Sequence, residues 1–224
     1  MTGVNEQQEL FKLIGRQLKK RVECYVIGGS AMLFYGFKTV TKDIDLVFTS
    51  EEERRRFTAV LKEMGFAHRR YSDYTAENAA VLMERKEARF DLFLAEIITT
   101  VLSPGMISRI KEKHEFSNLV VNVVSPEDII VLKCATDRAG DRKDAADIIG
   151  SMEISWDTIL EEARWQAANG KKAFVIFLFD FVEDLRYDYK AIIPRSFTKN
   201  LMKEYKEQLI KLLGYKKYKE MDGK

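Results

Sequence analysis

Tyr25 to Phe48 reads YVIGGSAMLFYGFKTVTKDIDLVF: two glycines and a serine ahead of an apolar run, then two aspartates one residue apart among Ile44, Leu46 and Val47. The alternation predicts a strand over Asp43 to Phe48, and in a strand every second side chain shares a face. Asp43 and Asp45 then point the same way while Ile44 and Leu46 enter a core. Two ionised carboxylates held that close repel each other, a cost that a divalent cation removes by taking both as oxygen ligands. Magnesium is the natural choice. It binds through one or two carboxylates plus substrate phosphates, so a nucleoside triphosphate is the expected remaining ligand. Gly28 and Gly29 acquire a role in that setting, because without side chains they let a phosphate approach the backbone. Ser30 reads as the N-cap of a short helix whose positive end and hydroxyl face the same phosphate.

Outward from this stretch, Leu10, Phe11, Ile14 and Leu18 share one helical face, and Cys24 to Ile27 forms a short apolar strand. Gly36 ends the glycine-led helix, and Ser50 with Glu53 makes a capping box for a helix reaching Met64. Strands are expected at Val81 to Lys86, Arg89 to Leu94 and Leu119 to Val124, and Ser125-Pro126-Glu127-Asp128 is a strong helix start. Beyond it, Trp156 to Ala168, Ala173 to Tyr187 and Phe197 to Leu213 read as a helical bundle, although Phe174 to Phe177 also suits a strand. The expected fold is α+β. Residues 1–124 form a mixed sheet flanked by helices, and residues 125–224 form a C-terminal helical domain.

A third acid is needed if the site is to activate an acceptor, and Phe90-Asp91-Leu92 repeats the pattern of Ile44-Asp45-Leu46. If the two strands are neighbours, three carboxylates converge, which supports two-metal transfer with Asp91 as ligand and base. Together, Gly28-Gly29-Ser30, the spacer from Ala31 to Lys42, Asp43-Ile44-Asp45-Leu46 and Asp91 resemble the nucleotidyltransferases of the DNA polymerase beta superfamily. The resemblance covers Tyr25 to Leu94 and implies the minimal core of that superfamily. Within it, GGSAMLFYG, TKDIDL and LKCATDRAGDRKDAADI look most like the AbiEii-type prokaryotic enzymes, several of them toxins of toxin–antitoxin systems. That likeness implies Asp43, Asp45 and Asp91 as catalytic metal ligands for two magnesium ions, and Gly28, Gly29, Ser30, Lys133 and Asp144, with Lys143, at the nucleotide. It also implies an antitoxin partner where the relatives are toxins. The acceptor stays open among RNA (tRNA included), protein and small molecules. Many relatives carry an arginine four residues before the first aspartate, where this chain has Thr39 beside Lys38.

Composition excludes several other classes. The 37 basic and 35 acidic residues nearly cancel, so no global polyanion-binding signal emerges. Only His68 and His114 are available, which disfavours histidine-based triads. Cys24 and Cys134 lie among apolar neighbours and read as free thiols in a reduced setting. With no signal pattern and no apolar run near the roughly 20 residues of a membrane span, a cytoplasmic, membrane-free protein is expected.

Structural readings stand beside the chemical ones. Asp141 to Asp144 would also serve as N-cap and N3 of a helix, and Asp147 would pair with Arg142 or Lys143. Lys133, on a buried helix, needs a phosphate or a carboxylate partner. Arg54 to Arg56 read as a solvated helix face, Glu127 and Asp128 as helix-start acids, and Lys216, Lys217 and Lys219 as a charged tail. His68, Arg69 and Arg70 are candidates for acceptor contact. Two other functions fit the acids: a non-catalytic nucleotide-binding or antitoxin-like module, and a glycosyltransferase using Asp-X-Asp.

Overall fold

Helix α1 (Val4–Gln17) buries Phe11, Ile14 and Gly15 along one side. Strand β1 (Val22–Val26) leads into α2 (Gly28–Phe34), which ends where Gly36 takes a φ of +74°. After β2 (Ile44–Phe48) comes α3 (Glu51–Glu63), whose cap is Ser50 accepting from the Glu53 amide. The Glu53 carboxylate does not close the capping box; it accepts instead from the Glu23 amide at the start of β1. Next come β3 (Ala67–Arg69), β4 (Val81–Arg85), β5 (Ala88–Leu94) and the short β6 (Glu96–Ile97) and β7 (Thr100–Val101). Helix α4 (Pro104–Ser108) and the hairpin of β8 (Glu112–Phe116) and β9 (Leu119–Val123) follow. The computed structural model describes residues 1–69, 80–86, 88–97 and 99–214. The chain divides into the units Met1–Ser125 and Pro126–Lys224.

The sheet of the first unit runs β3-β4-β5-β2-β1-β9-β8, with β6 and β7 attached beyond β5. It is mixed: β2 pairs with β5 and β1 with β9 in parallel, and the other pairings are antiparallel. The alternation read in the sequence explains the core. Ile44, Leu46 and Phe48 are fully buried with Phe90 and Leu92, and α3 adds Phe57 with its ring 5.4 Å from Phe48 and 5.8 Å from Phe90. Strands β3 and β8 and helix α4 have no strong hydrophobic period, and their pattern is legible only once their neighbours are known.

The second unit is helical: α5 (Pro126–Cys134), α6 (Ala139–Ser151), α7 (Trp156–Ala168), α8 (Phe174–Tyr187) and α9 (Arg195–Leu213). Phe174 to Phe177 is helix rather than strand. Phe174, Val175, Leu178, Phe181, Val182 and Leu185 are all buried, a period of three to four that only a helix turns to one side. Trp156 packs on Phe197, and Phe179 stacks on Tyr205 with centroids 4.1 Å apart. The expected cap at Asp141 is displaced, because α6 begins at Ala139 and Asp141 lies within its first turn. Burial pushes the Cys24 and Cys134 thiols up, so both stay protonated inside the protein.

Helix α1 meets the β8–β9 turn at Gly15, where a β-carbon would lie 1.7 Å from the Phe116 carbonyl oxygen. The same contact carries hydrogen bonds from the Asn118 amide to the Gly15 carbonyl and from its side chain to the Leu18 carbonyl. Gly15→Ala forces backbone apart and is expected to cost about 3 kcal/mol in urea unfolding, the upper end of overpacking. Gly150→Ala, on the exposed face of α6 with open space around it, should be neutral or stabilise by up to about 1 kcal/mol. A tolerated Gly15→Ala would mean that α1 does not seat as described.

Candidate active site

Parallel pairing of β2 with β5 sets Ile44 opposite Phe90, Asp45 opposite Asp91 and Leu46 opposite Leu92. Side chains in register on neighbouring strands project to the same face, with backbones about 4.8 Å apart. Asp45 and Asp91 are therefore direct neighbours, and Asp43 stands one residue ahead of β2 on the same side. Sequence spacing brings the first two acids together, and strand topology brings the third.

The glycine turn lies against this acidic edge. Gly28 has a φ of +59°, a left-handed conformation suited to glycine, and a β-carbon there would sit 2.8 Å from Asp45 Oδ2. At Gly29 a β-carbon would sit 2.6 Å from Thr41 Oγ1 and 3.9 Å from Lys38 Nζ. The bare backbone of the turn thus faces a carboxylate on one side and a hydroxyl and an ammonium on the other. Lys38 thereby supplies a cation beside the turn. An antiparallel bridge fixes the loop beneath: the amides of Thr2 and Thr41 each donate to the other's carbonyl at 2.9 Å.

Ser30 behaves differently from expectation. Helix α2 starts two residues earlier, at Gly28, so Ser30 is not its N-cap. The buried Ser30 hydroxyl donates to the Asp43 carbonyl at 3.1 Å, and the Thr41 hydroxyl donates to the same carbonyl at 3.2 Å. Both hydroxyls hold the backbone that carries Asp43.

Arg89 escaped the sequence reading. Its Nε donates to Asp91 Oδ1 at 2.8 Å and its Nη2 to Asp91 Oδ2 at 2.6 Å, a two-pronged pair, while Nε also lies 3.4 Å from Asp43 Oδ1. Arg89 and Asp91 are two residues apart on β5 and share a face, which was the available signal. Among the described residues no three His, Cys, Asp or Glu side chains gather into a metal-holding group. At this edge the guanidinium occupies the ground between two of the acids. The donor set itself, oxygen only and anionic, is the kind magnesium takes.

The remaining candidates belong to the second unit. Lys133 is buried and its ammonium donates to Asp141 Oδ1 and Asp144 Oδ2, both at 2.7 Å. Of its two expected partners, phosphate or carboxylate, the carboxylate is the one found. Thr136 and Arg138 complete the coordination of Asp141 Oδ2. Burial works against the Asp141 carboxylate, but Lys133, Thr136 and Arg138 together hold it below the usual carboxylate range. Lys143 is exposed and paired with Asp147 at 2.6 Å, and Arg142 reaches Asp184 and Asp137 instead. Elsewhere, Arg54, Arg55 and Arg56 pair with Glu51 and Glu52 along α3, and Glu127 accepts from the Ser155 amide at the start of α7. His68 is exposed and Arg69 pairs with Glu84, whereas Arg70 and the basic tail with Lys216, Lys217 and Lys219 lie outside the described residues.

With this geometry in view, the comparisons with known proteins are specific at one level. The family model described as "Nucleotidyltransferase of unknown function (DUF6036)" matches residues 5–193, so the chain belongs to that family. No curated protein matches it. Among solved structures it is similar to an antigenic nucleotidyltransferase-like protein from Paracoccidioides brasiliensis, at 16% identity over 87% of this chain and 96% of that one, with a TM-score of 0.43. No helix among the described residues is long and apolar enough to cross a membrane.

Lys133→Met would remove the buried ammonium shared by Asp141 and Asp144 and is expected to cost about 3 kcal/mol of unfolding free energy, against no more than about 0.5 kcal/mol for the exposed Lys143→Ala. The Asp141 pair also carries a pH signature. A carboxyl lowered in the folded state contributes stability above its ordinary pKa near 3.9, and that contribution disappears as pH falls through the lowered value. The urea midpoint should therefore drop below about pH 4, and Asp141→Asn should lose part of that acid dependence. An unchanged acid limb in Asp141→Asn would remove Asp141 from the account.

Proposed function

We infer that the protein is a magnesium-dependent nucleotidyltransferase that moves a nucleoside monophosphate from a triphosphate to an acceptor hydroxyl. The observation that carries the reading is the register of Asp45 against Asp91 beside the Gly28-Gly29 turn. Family membership supports nucleotidyl transfer as the class of reaction. An acceptor oxygen attacks the α-phosphorus, the bond to the bridging oxygen of pyrophosphate breaks, and the proton of the acceptor passes to Asp91. Asp43, Asp45 and Asp91 would hold magnesium, which stabilises charge on the transferring phosphoryl and eases deprotonation of the acceptor.

The chain's own groups do the positioning. The backbone of Gly28 and Gly29 lets phosphate oxygens come close, and Lys38 adds a positive charge beside Gly29. Ser30 and Thr41 hold the Asp43 backbone so that its carboxylate keeps its place. Lys133 and Asp144 enter this reading as a buried buttress of the helical unit rather than as phosphate ligands, since they spend their charge on each other. A second reading, a module that binds nucleotide without turnover, draws support from Arg89 taking both oxygens of Asp91. Whether the acceptor is tRNA, protein or a small molecule, and whether an antitoxin is a partner, rests on the resemblance to the AbiEii-type enzymes alone.

The test is to incubate the protein and magnesium with each triphosphate, labelled at the α- or the γ-phosphorus, in a cell extract. Label should enter an acceptor from the α position and leave in pyrophosphate from the γ position. Asp91→Asn should keep triphosphate affinity and slow transfer at least about a hundredfold in single turnover, the lower bound for loss of a general base. Wild-type turnover in Asp91→Asn would overturn the three-acid mechanism. Binding without transfer of any labelled triphosphate would favour the module.

A further inference from the structure

We propose that Arg89 is a built-in counter-cation that excludes divalent metal from the three aspartates until a nucleotide arrives, so that metal and triphosphate enter this site together. The inference rests on the nucleotidyltransferase reading and concerns a residue that the reading leaves without a role.

The argument begins with the lone pairs of Asp91. Both of its oxygens accept from one guanidinium, at 2.8 and 2.6 Å, and that guanidinium lies 3.4 Å from Asp43 Oδ1. A metal ion taking Asp91 and Asp43 as ligands would need the same oxygens and would stand beside a fixed positive charge. Arginine cannot relieve that repulsion by losing its proton, since a guanidinium stays protonated at any pH at which the protein folds. The guanidinium must leave Asp91 for the metal to bind. It is equipped to do so, because the Arg89 side chain keeps 26% of its surface in solvent, unlike the Lys133 side chain at 6%. What would draw it away is an anion, and the planar fork that fits a carboxylate fits a phosphate equally well. A triphosphate at the glycine turn brings such groups to the edge where Arg89 stands.

The thermodynamics follow from the two states. If only the Arg89-displaced state binds metal, the apparent dissociation constant rises by the inverse of that state's population. A ligand that favours the displaced state then tightens metal binding, and metal tightens that ligand by the same factor. Linked sites commonly differ by roughly 5–150-fold, and a two-pronged pair of a partly exposed arginine with a buried aspartate is placed inside that range.

Manganese provides a metal probe that can be followed by paramagnetic resonance, titrated with and without a non-hydrolysable triphosphate analogue. Wild-type protein should bind manganese weakly alone and at least about tenfold more tightly with the analogue. Arg89→Gln should bind manganese alone at least about tenfold more tightly than wild type, lose most of the coupling, and gain more in melting temperature on manganese addition. Arg89→Lys keeps the charge but not the fork and should fall between them, which guards against a glutamine variant that folds poorly. Equal or weaker manganese binding in folded Arg89→Gln and Arg89→Lys overturns the proposal. If that binding is still abolished by Asp45→Asn, the metal site stands and only the role of Arg89 falls. If manganese binds none of these proteins, with or without the analogue, both readings fall.

Discussion

Carboxylates that share one face of a sheet repel one another, and the first unit places positive charge among them. Asp45 and Asp91 are neighbours because β2 and β5 pair in parallel with those residues in register. A slip of β2 by one residue against β5 would turn Asp45 into the aromatic core and bring Leu46 out beside Asp91. The core therefore fixes the acids: Ile44, Leu46, Phe48, Phe90 and Leu92 are all fully buried and tolerate no other register. Arg89 then balances the face that results, with two bonds to Asp91 and a longer approach to Asp43. The glycine turn and the Thr41 loop are built against the same edge, so an error in the β2–β5 register would displace every group of the candidate site.

Two of the ion clusters among the described residues differ in their surroundings. Lys133 with Asp141 and Asp144 is closed off from water, with side-chain exposures of 6, 10 and 12%. Removing one partner from such a cluster leaves an uncompensated buried charge, which costs far more than an exposed pair ever contributes. That cluster ties α5 to α6 and is poorly suited to open for a ligand. Asp91 is as buried as those acids, at 13% of its side-chain surface, but Arg89 and Asp43 retain 26 and 32%, so water can reach the guanidinium when the pair separates. A pair that can be rehydrated is a pair that can be exchanged for another ion. On the proposed reading, the solvent access of the cation, 26% at Arg89 against 6% at Lys133, is what would let one cluster exchange partners and keep the other closed.

How much of this was legible in the sequence follows from how local each signal is. Asp43 and Asp45 share a face by period two alone, and the apolar Ile44 and Leu46 that alternate with them announce β2. Asp91 required one further step, a repeated apolar–acid–apolar pattern, and the parallel pairing that brings it to Asp45 is a long-range fact that no local period encodes. Arg89 was within reach, two residues from Asp91, yet it was hidden because an arginine beside a strand acid reads as ordinary surface charge. Ser30 was misread for a different reason. Its residue type fits an N-cap, but Gly28 takes the left-handed turn first, starts the helix early and leaves the serine to face the Asp43 carbonyl. Strands β3 and β8 were not legible, since exposed Ala67-His68-Arg69 and the charged Glu112 to Phe116 have no buried face to give a period.

The contact between Gly28 and Asp45 constrains what the turn can bind. An anion approaching the Gly28 backbone comes within a few ångströms of the Asp45 carboxylate, because a single methyl group at Gly28 would already lie 2.8 Å from its oxygen. Phosphate and carboxylate at that spacing repel, and the ammonium of Lys38 stands on the other side of the turn, beside Gly29, where it offsets only part of the repulsion. A glycine turn built for a bare anion would face amides and cations alone, as anion-binding backbone nests do. Here one wall is an acid, so a phosphate is favoured only with a cation that both the acid and the phosphate can ligate. On the proposed reading the arrangement would disfavour free phosphate and simple anions and favour a metal-complexed polyphosphate, a preference set by the Asp45 carboxylate that lies against Gly28.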